Sequence, residues 1–263
     1  MKRGLTALIR PGLIDVERRL IRLEWAISRN RPAAWLGGLD GALRSPYGDP
    51  RLQRRLRDEL AFWRRAAREG GLGGIHGPLH EVFGGWQRQR MAELADWLGL
   101  DGQQFDDWRR AVRAVEVGAG PHPFLLVGSW RSAVAVDPLA DGYRAEGLLP
   151  ELGPLVYLAA PAEEIPLPGG SADLVVTHNC LDHVDDPGAA AAEMRRLLAP
   201  GGLLWLIVDL RDTADEMHPH AFGIARIREM LRDAAFECVR DEQGAGGADP
   251  SARGVYRGLW RRA

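Results

Sequence analysis

Lysine is nearly absent from this chain: Lys2 stands alone, and arginine carries the rest of the basic character. The net charge is only −2, so no overall field draws in nucleic acid or an acidic partner. No recognisable RNA-binding module is present either, and nucleic acid is not expected as a partner. Cysteine is scarce. Cys180 and Cys238 offer neither a metal-ligand spacing nor a disulfide framework, so a reducing cytoplasm is the expected location; histidines and carboxylates between 209 and 220 are the alternative metal ligands, but nothing in their spacing demands an ion and no metal is assigned. No run approaches the roughly twenty apolar residues of a membrane span. The basic start, Met1 to Pro11, has too short an apolar segment for a signal peptide.

What is present suits an ordinary globular protein, with 46% hydrophobic and 27% charged residues. A chain of 263 residues is long enough for one domain, or for a core with an attached subdomain. Leu13, Val16, Leu20, Leu23 and Ile27 recur every three or four positions and predict a helix over 13–30. Residues 1–45 carry a surplus of five positive charges, with Trp25 and Trp35 nearby. A contact with an anionic membrane surface competes there with packing against the main domain, and packing is the preferred reading. Ser45 to Pro50 is turn chemistry. Further helices are predicted over 51–69, 80–98 and 104–112. The glycines between 70 and 77 do not lie between a strand and a helix, so they read as a flexible connection rather than a phosphate cradle, with a hinged lid as the alternative.

From residue 113 the pattern changes. Short apolar runs alternate with helical segments, which signals βαβ units. Strands are predicted at 113–117, 133–137, 155–158, 172–177 and 203–209, and a closing pair at 236–242 and 253–260. Helices are predicted near 123–130, 140–149, 187–198 and 223–235. The expected fold is α/β: a doubly wound, mostly parallel, seven-stranded Rossmann-like sheet over 113–263, with an all-helical region over 1–112 covering the substrate.

The most informative stretch is Glu116-Val117-Gly118-Ala119-Gly120, followed by Asp137 at the end of the next apolar run. This layout suits a strand, a tight turn, a helix and a second strand around a nucleoside-containing cofactor. Glu116 favours a ligand with a cationic portion over the pyrophosphate of a nicotinamide cofactor. Two later segments, Ala162 to Val176 and Leu197 to Gly202, complete a set of four at compatible spacing. Over 113–209 the chain resembles the class I S-adenosylmethionine-dependent methyltransferases, in particular the small-molecule branch called methyltransferase type 11. It departs from them at His122, where a third glycine is common, and at Pro161, where many members place an aspartate.

The resemblance implies S-adenosyl-L-methionine as methyl donor. It places Glu116 near the methionine moiety, with Gly118, Ala119 and Gly120 giving close backbone approach. Asp137, with Pro138 beside it, is expected to accept the ribose hydroxyls. Leu139 and Ile165 are expected to flank the adenine, Ala162 and Glu163 to contact it, and Asn179 to bond the methionine portion. Titratable groups follow strands four and five: His178, Asp182 and His183, then Arg211, Asp215, His218 and His220. Asp182, His183, His218 and His220 are the candidate catalytic residues, a histidine serving as base if the acceptor is a hydroxyl. Asp185-Asp186-Pro187 reads as a helix start. Trp63, Trp86 and Trp97 are candidates to line the acceptor pocket. The expected partner is a small molecule, such as a sugar or natural-product intermediate offering an O, N or S nucleophile, and the expected assembly is a monomer or homodimer. A catalytically silent binding fold and a nicotinamide oxidoreductase are the competing readings.

Overall fold

The computed structural model describes residues 50–72, 75–76, 79–245 and 252–263. The predicted helix over 13–30, its membrane alternative, and nearly all of the Ser45–Pro50 turn lie outside the described residues. Helix α1 (Pro50–Glu69) leads through two short strands, β1 (Gly71–Leu72) and β2 (Ile75–His76), to α2 (Leu79–Leu98) and α3 (Gly102–Ala111). The sheet region follows as β3 (Arg113–Val117), β4 (Ser132–Val136), α4 (Ala140–Ala145), β5 (Val156–Leu158) and β6 (Ala172–His178). It continues as α5 (Pro187–Leu197), β7 (Leu198–Leu210), α6 (Ile224–Asp233), β8 (Phe236–Gly244) and β9 (Gly254–Arg262).

The seven strands lie in the order β5-β4-β3-β6-β7-β9-β8. The pairs within β5-β4-β3-β6-β7 are parallel, while β9 runs antiparallel to both β7 and β8. The doubly wound, mostly parallel sheet expected from the sequence is therefore present, with the closing hairpin in place. Among the described residues, no helix is long and apolar enough to cross a membrane.

Alternation along the strands sorts the core into two layers. On β7, Leu204, Leu206 and Val208 face the cluster that holds Ala190, Met194 and Leu197 of α5 and Ile227 and Leu231 of α6. Trp205 and Ile207 face the opposite cluster, which holds Leu52, Leu56 and Leu60 of α1, Met91 and Leu94 of α2, and Phe105 of α3. Helices on both faces explain why the central strands read as continuous apolar runs. They also place α1 and α2 beside the carboxyl ends of the parallel strands, where ligands bind in such sheets.

Two local expectations change. The 123–130 segment forms only a 3-10 turn at Phe124–Leu126, preceded by Pro121 and Pro123. Its first amides are held by the Glu116 carboxylate, and the turn ends where Val127 becomes extended and Gly128 takes φ +96°. The glycine-rich connection pairs as a ladder, Gly71 with His76 and Leu72 with Ile75. The predicted start of α5 holds: Asp186 accepts from Ala189 N–H at 3.0 Å and Pro187 opens the helix. Asp186→Ala is expected to cost about 1 kcal/mol in thermal denaturation, the usual effect of losing such a cap. No change in Tm would remove that contribution.

Candidate functional site

Strand β3 ends at Val117, and the chain must then turn sharply beside β4 and β6. Gly118 does this at φ +69°, with its N–H donated to Val136 O at 2.9 Å. A Cβ on Gly118 would lie 2.3 Å from Cys180 Cβ, so only glycine fits between the two strand ends. Gly120 follows at φ +58° and donates its N–H to Asp137 Oδ2 at 2.9 Å. The other oxygen of Asp137 accepts from Leu139 N–H at 2.8 Å. This carboxylate, at the carboxyl end of β4, fixes the glycine turn in place.

Glu116 is buried, and both of its oxygens accept backbone N–H groups, from Phe124 at 2.9 Å and Leu125 at 3.0 Å. It lines the cavity, but its carboxylate anchors the loop that follows the glycines. Burial pushes its pKa up to about 8, against the pull of those two amides. Burial likewise raises Asp137 to about 7, with the Glu59 carboxylate adding to the shift. On α2, buried Gln87 donates to Pro123 O at 2.9 Å and also to His122 O, tying that helix to the loop. The His122 ring stacks on Phe83 at 4.8 Å.

The end of the cavity beside Asp137 is built differently from the sequence expectation. Leu139 and Ile165 are fully buried in the two cores and do not line the cavity. Pro138, Pro161 and Ala162 line it instead. Leu139 turns inward because its backbone N–H is held by Asp137, the cap of that turn. Glu163 lines the cavity, yet its Oε1 accepts from Asp185 N–H at 2.8 Å and Asp186 N–H at 3.1 Å. Asn179, at φ +45°, closes β6; its Oδ1 accepts from Asp209 N–H at 2.9 Å, joining the ends of β6 and β7.

Beyond these strand ends lies the polar cluster. Asp182 is almost fully buried, and its Oδ2 lies 3.7 Å from Arg211 Nε. Its Oδ1 makes no hydrogen bond among the described residues and sits 3.9 Å from His183 Nε2. Arg211 Nη2 is 3.1 Å from His218 Nε2, and His218 Nδ1 is 3.0 Å from Asp215. Since a guanidinium only donates, His218 accepts at Nε2 and donates from Nδ1. Partial burial opposes the charge of Asp215, but hydrogen bonds from the His218 side chain and backbone outweigh it and hold the carboxyl below its usual range. Ligand atoms of Asp182, His183 and His218 come within 4.8 Å of one another, a grouping able to hold a cation. The Arg211 guanidinium lies against two of the three and opposes one there.

His220 stands apart. Its Nε2 bonds Val184 O at 2.9 Å, and it does not line the cavity, so its expected place beside the other candidates is corrected. His178 lines the cavity with Trp86 at 4.3 Å, and burial, followed by Arg90 and Arg257, lowers its pKa to about 3, which keeps it neutral. Trp63 and Trp86 line the cavity, whereas Trp97 packs edge-on against Trp205 at 4.8 Å in the core. Phe83 and Cys180 line it as well. Phe83 lies on a helix whose apolar spacing says nothing of a cavity, and Cys180 carries no motif that points to one. The whole cavity measures about 510 Å³, within the range of pockets that bury small ligands.

Residues 115–206 match the family model described as a methyltransferase domain. An uncharacterized methyltransferase of Mycobacterium tuberculosis is 37% identical over 134 residues, covering 50% of this chain and 51% of that protein. The malonyl-[acyl-carrier protein] O-methyltransferase of Xylella fastidiosa is 28% identical over 143 residues, 52% of this chain and 44% of that one. The chain thus spans about half the length of the curated relatives it matches. Among solved structures, the Burkholderia thailandensis 1,6-didemethyltoxoflavin-N1-methyltransferase with bound 1,6-didemethyltoxoflavin and S-adenosylhomocysteine superposes with a TM-score of 0.54. It is 18% identical, and the match covers 84% of this chain and 93% of that one, a likeness of fold.

Proposed function

Residues 115–206 belong to the class I S-adenosylmethionine-dependent methyltransferases, and from that premise we propose that the protein moves a methyl group from S-adenosyl-L-methionine to a small-molecule acceptor by in-line displacement. The observation that carries this reading is a single cavity lined by the glycine turn, Asp137 and the Asp182–His183–His218 cluster. The residues fit the cofactor: two left-handed glycines offer backbone without side chains, and a buried carboxylate with spare lone pairs faces the cavity.

In this reading Asp137 accepts the ribose hydroxyls, Pro138, Pro161 and Ala162 flank the adenine, and Asn179 stands near the methionine portion. Glu116 acts one step back, by holding the Phe124–Leu125 loop in place. The bound cofactor supplies a methyl group already activated by its sulfonium. The chain's task is to align an acceptor with it and to exclude water, and proximity supplies much of the rate. For a hydroxyl acceptor, His183 takes the proton at Nε2 and Asp182 stabilises the imidazolium that results. Helices α1 and α2 cover the acceptor side of the cavity, and His220 positions the loop through Val184.

His183→Ala is expected to lower turnover of the best acceptor in a panel of phenols, amines and thiols by about 10²-fold or more. Its affinity for S-adenosylhomocysteine should stay within about twofold, and His220→Ala should change turnover far less. Unchanged turnover in His183→Ala removes histidine base catalysis. A catalytically silent binding fold is the second reading. It is favoured by one observation: Glu116 and Asp137 both hold backbone amides and so have structural work apart from any reaction. Cofactor binding with no methyl transfer across that panel would support it.

A further inference from the structure

Six aromatic rings run across the acceptor side of the cavity, from the glycine turn to the end of β6. Trp63 begins the row above Gly120, its ring 3.8 Å from where a Cβ on that glycine would lie. Phe83 follows at 5.8 Å from Trp63, then Trp86 at 6.3 Å from Phe83. Trp86 in turn meets Phe124 at 5.1 Å and His178 at 4.3 Å. Phe62 stands on the other side of Trp63 at 5.3 Å. All six line the cavity, so their faces and edges are available to an occupant rather than spent wholly on packing.

Besides Arg211 Nε, which lies 3.7 Å from Asp182 Oδ2, three buried polar atoms on residues lining the same cavity make no hydrogen bond among the described residues: Trp63 Nε1, His178 Nδ1 and Asp182 Oδ1. Buried polar atoms are rarely left unpaired, because each costs about 1–3 kcal/mol when no partner replaces water. Orphans on one cavity wall are therefore expected to meet a ligand. Trp63 Nε1 can only donate, and a carboxylate oxygen such as Asp182 Oδ1 serves as an acceptor.

Charge narrows the choice further. Glu59, Glu163, Asp182 and Asp185 line the cavity with Glu116 and Asp137, two acids that burial holds partly protonated near neutral pH, and Arg211 is the one arginine or lysine among the described lining residues. Its guanidinium lies against Asp182 and His218. Among the described residues, a carboxylate, phosphate or other anionic acceptor would enter a field of its own sign, since Arg211 is already engaged by Asp182 and His218.

We propose that the acceptor is a flat aromatic or heteroaromatic molecule without negative charge, carrying a hydrogen-bond donor for Asp182 Oδ1 and an acceptor atom for Trp63 Nε1. This rests on the methyltransferase reading of the same cavity and specifies the substrate class within it. Ring stacking on Trp86 and Phe83 supplies affinity, and the unpaired Asp182 oxygen selects a ring that carries a hydrogen-bond donor, while the proton of the nucleophile goes to His183.

The test uses the full chain saturated with S-adenosylhomocysteine and three probes, 2-naphthol, 2-naphthoate and cyclohexanol, titrated by calorimetry and by tryptophan fluorescence. The expected result is that 2-naphthol binds at least about tenfold more tightly than either of the others, a difference of about 1.4 kcal/mol. Trp86→Leu should weaken 2-naphthol at least about fivefold, the order of one aromatic contact. Trp63→Phe, which keeps the ring and removes only the N–H, should weaken it less, and serves if the leucine variant does not fold. Equal or tighter binding of 2-naphthoate overturns the proposal, as does 2-naphthol affinity that neither variant alters. If S-adenosylhomocysteine binds and 2-naphthol does not, the acceptor class fails while the methyltransferase reading stands. If S-adenosylhomocysteine does not bind, that reading fails, and the same probes titrated into the free protein still decide the acceptor class.

Discussion

Gly118→Ala is expected to abolish measurable S-adenosylhomocysteine binding and to lower Tm by roughly 4–20 °C, on the usual scale of about 2–4 °C per kcal/mol for a domain of this size. Two costs combine. The residue sits at φ +69°, where an L side chain costs about 1–2 kcal/mol. The new Cβ would also meet Cys180 Cβ at 2.3 Å and Sγ at 2.4 Å, an overpacking of about 1–3 kcal/mol that no flexible side chain can relieve. To make room, the end of β3 must part from the Asn179–Cys180 turn, and both line the cavity. Gly147→Ala separates the two costs. It has φ +68° with nothing within 4 Å of its Cβ, so it should lose only the backbone share and bind as the parent does. Adding Cys180→Gly to Gly118→Ala should restore part of the lost stability. If Gly118→Ala binds S-adenosylhomocysteine normally, the glycine turn is not the cofactor cradle.

Asp137→Ala is the second large effect, expected to weaken S-adenosylhomocysteine at least tenfold, about 1.4 kcal/mol, and to destabilise the fold as well. The carboxylate serves the Gly120 and Leu139 amides, and orphaning each buried donor costs about 1–3 kcal/mol. Asp137→Asn keeps the shape and one acceptor oxygen, and should destabilise less. The pH dependence has two opposite signs. Burial, with Glu59 nearby, raises Asp137 to about 7, so the native state holds this proton more tightly than the unfolded chain does. That contribution favours folding at low pH and is lost as pH rises from the ordinary carboxylate range towards 7. Cofactor binding runs the other way, because the ionised form is the better acceptor of two hydroxyls. Affinity should therefore fall as pH falls below 7, by up to tenfold per pH unit, and level off above it. Asp137→Asn should flatten both slopes. A parent affinity constant from pH 5.5 to 8 would contradict the ribose assignment.

The sheet was legible because its strands are short apolar runs between turn residues. Leu203 to Leu210 and Leu174 to Thr177 admit few other readings once helices alternate with them. The glycine turn and the carboxylate that holds it were legible for a related reason, since Gly118, Gly120 and Asp137 are set by local backbone geometry within twenty residues. What the sequence hid were directions and long-range partners. Spacing cannot tell that Leu139 points into the core while Pro138 faces the cavity, because that depends on a cap by Asp137. Nor can it tell that Glu163 bonds the amides of Asp185 and Asp186, over twenty residues away. Phe83 and Trp86 lie on the apolar stripe of α2, and a stripe reads alike whether it faces a core or a cavity. The predicted helix stops after the 3-10 turn at Phe124–Leu126, where Val127 turns extended and Gly128 follows at φ +96°, a backbone choice that hydrophobic spacing does not report.

On the proposed reading, Gly118, Gly120 and Asp137 build an S-adenosylmethionine site continuous with the Asp182–His183–His218 cluster. The most direct measurement is calorimetric titration of the full chain with S-adenosylhomocysteine, alongside Gly118→Ala and NADH as comparisons. Saturable 1:1 binding at sub-millimolar S-adenosylhomocysteine, lost in Gly118→Ala and absent for NADH, is the predicted result. No binding at millimolar S-adenosylhomocysteine, or binding of NADH in its place, would contradict it.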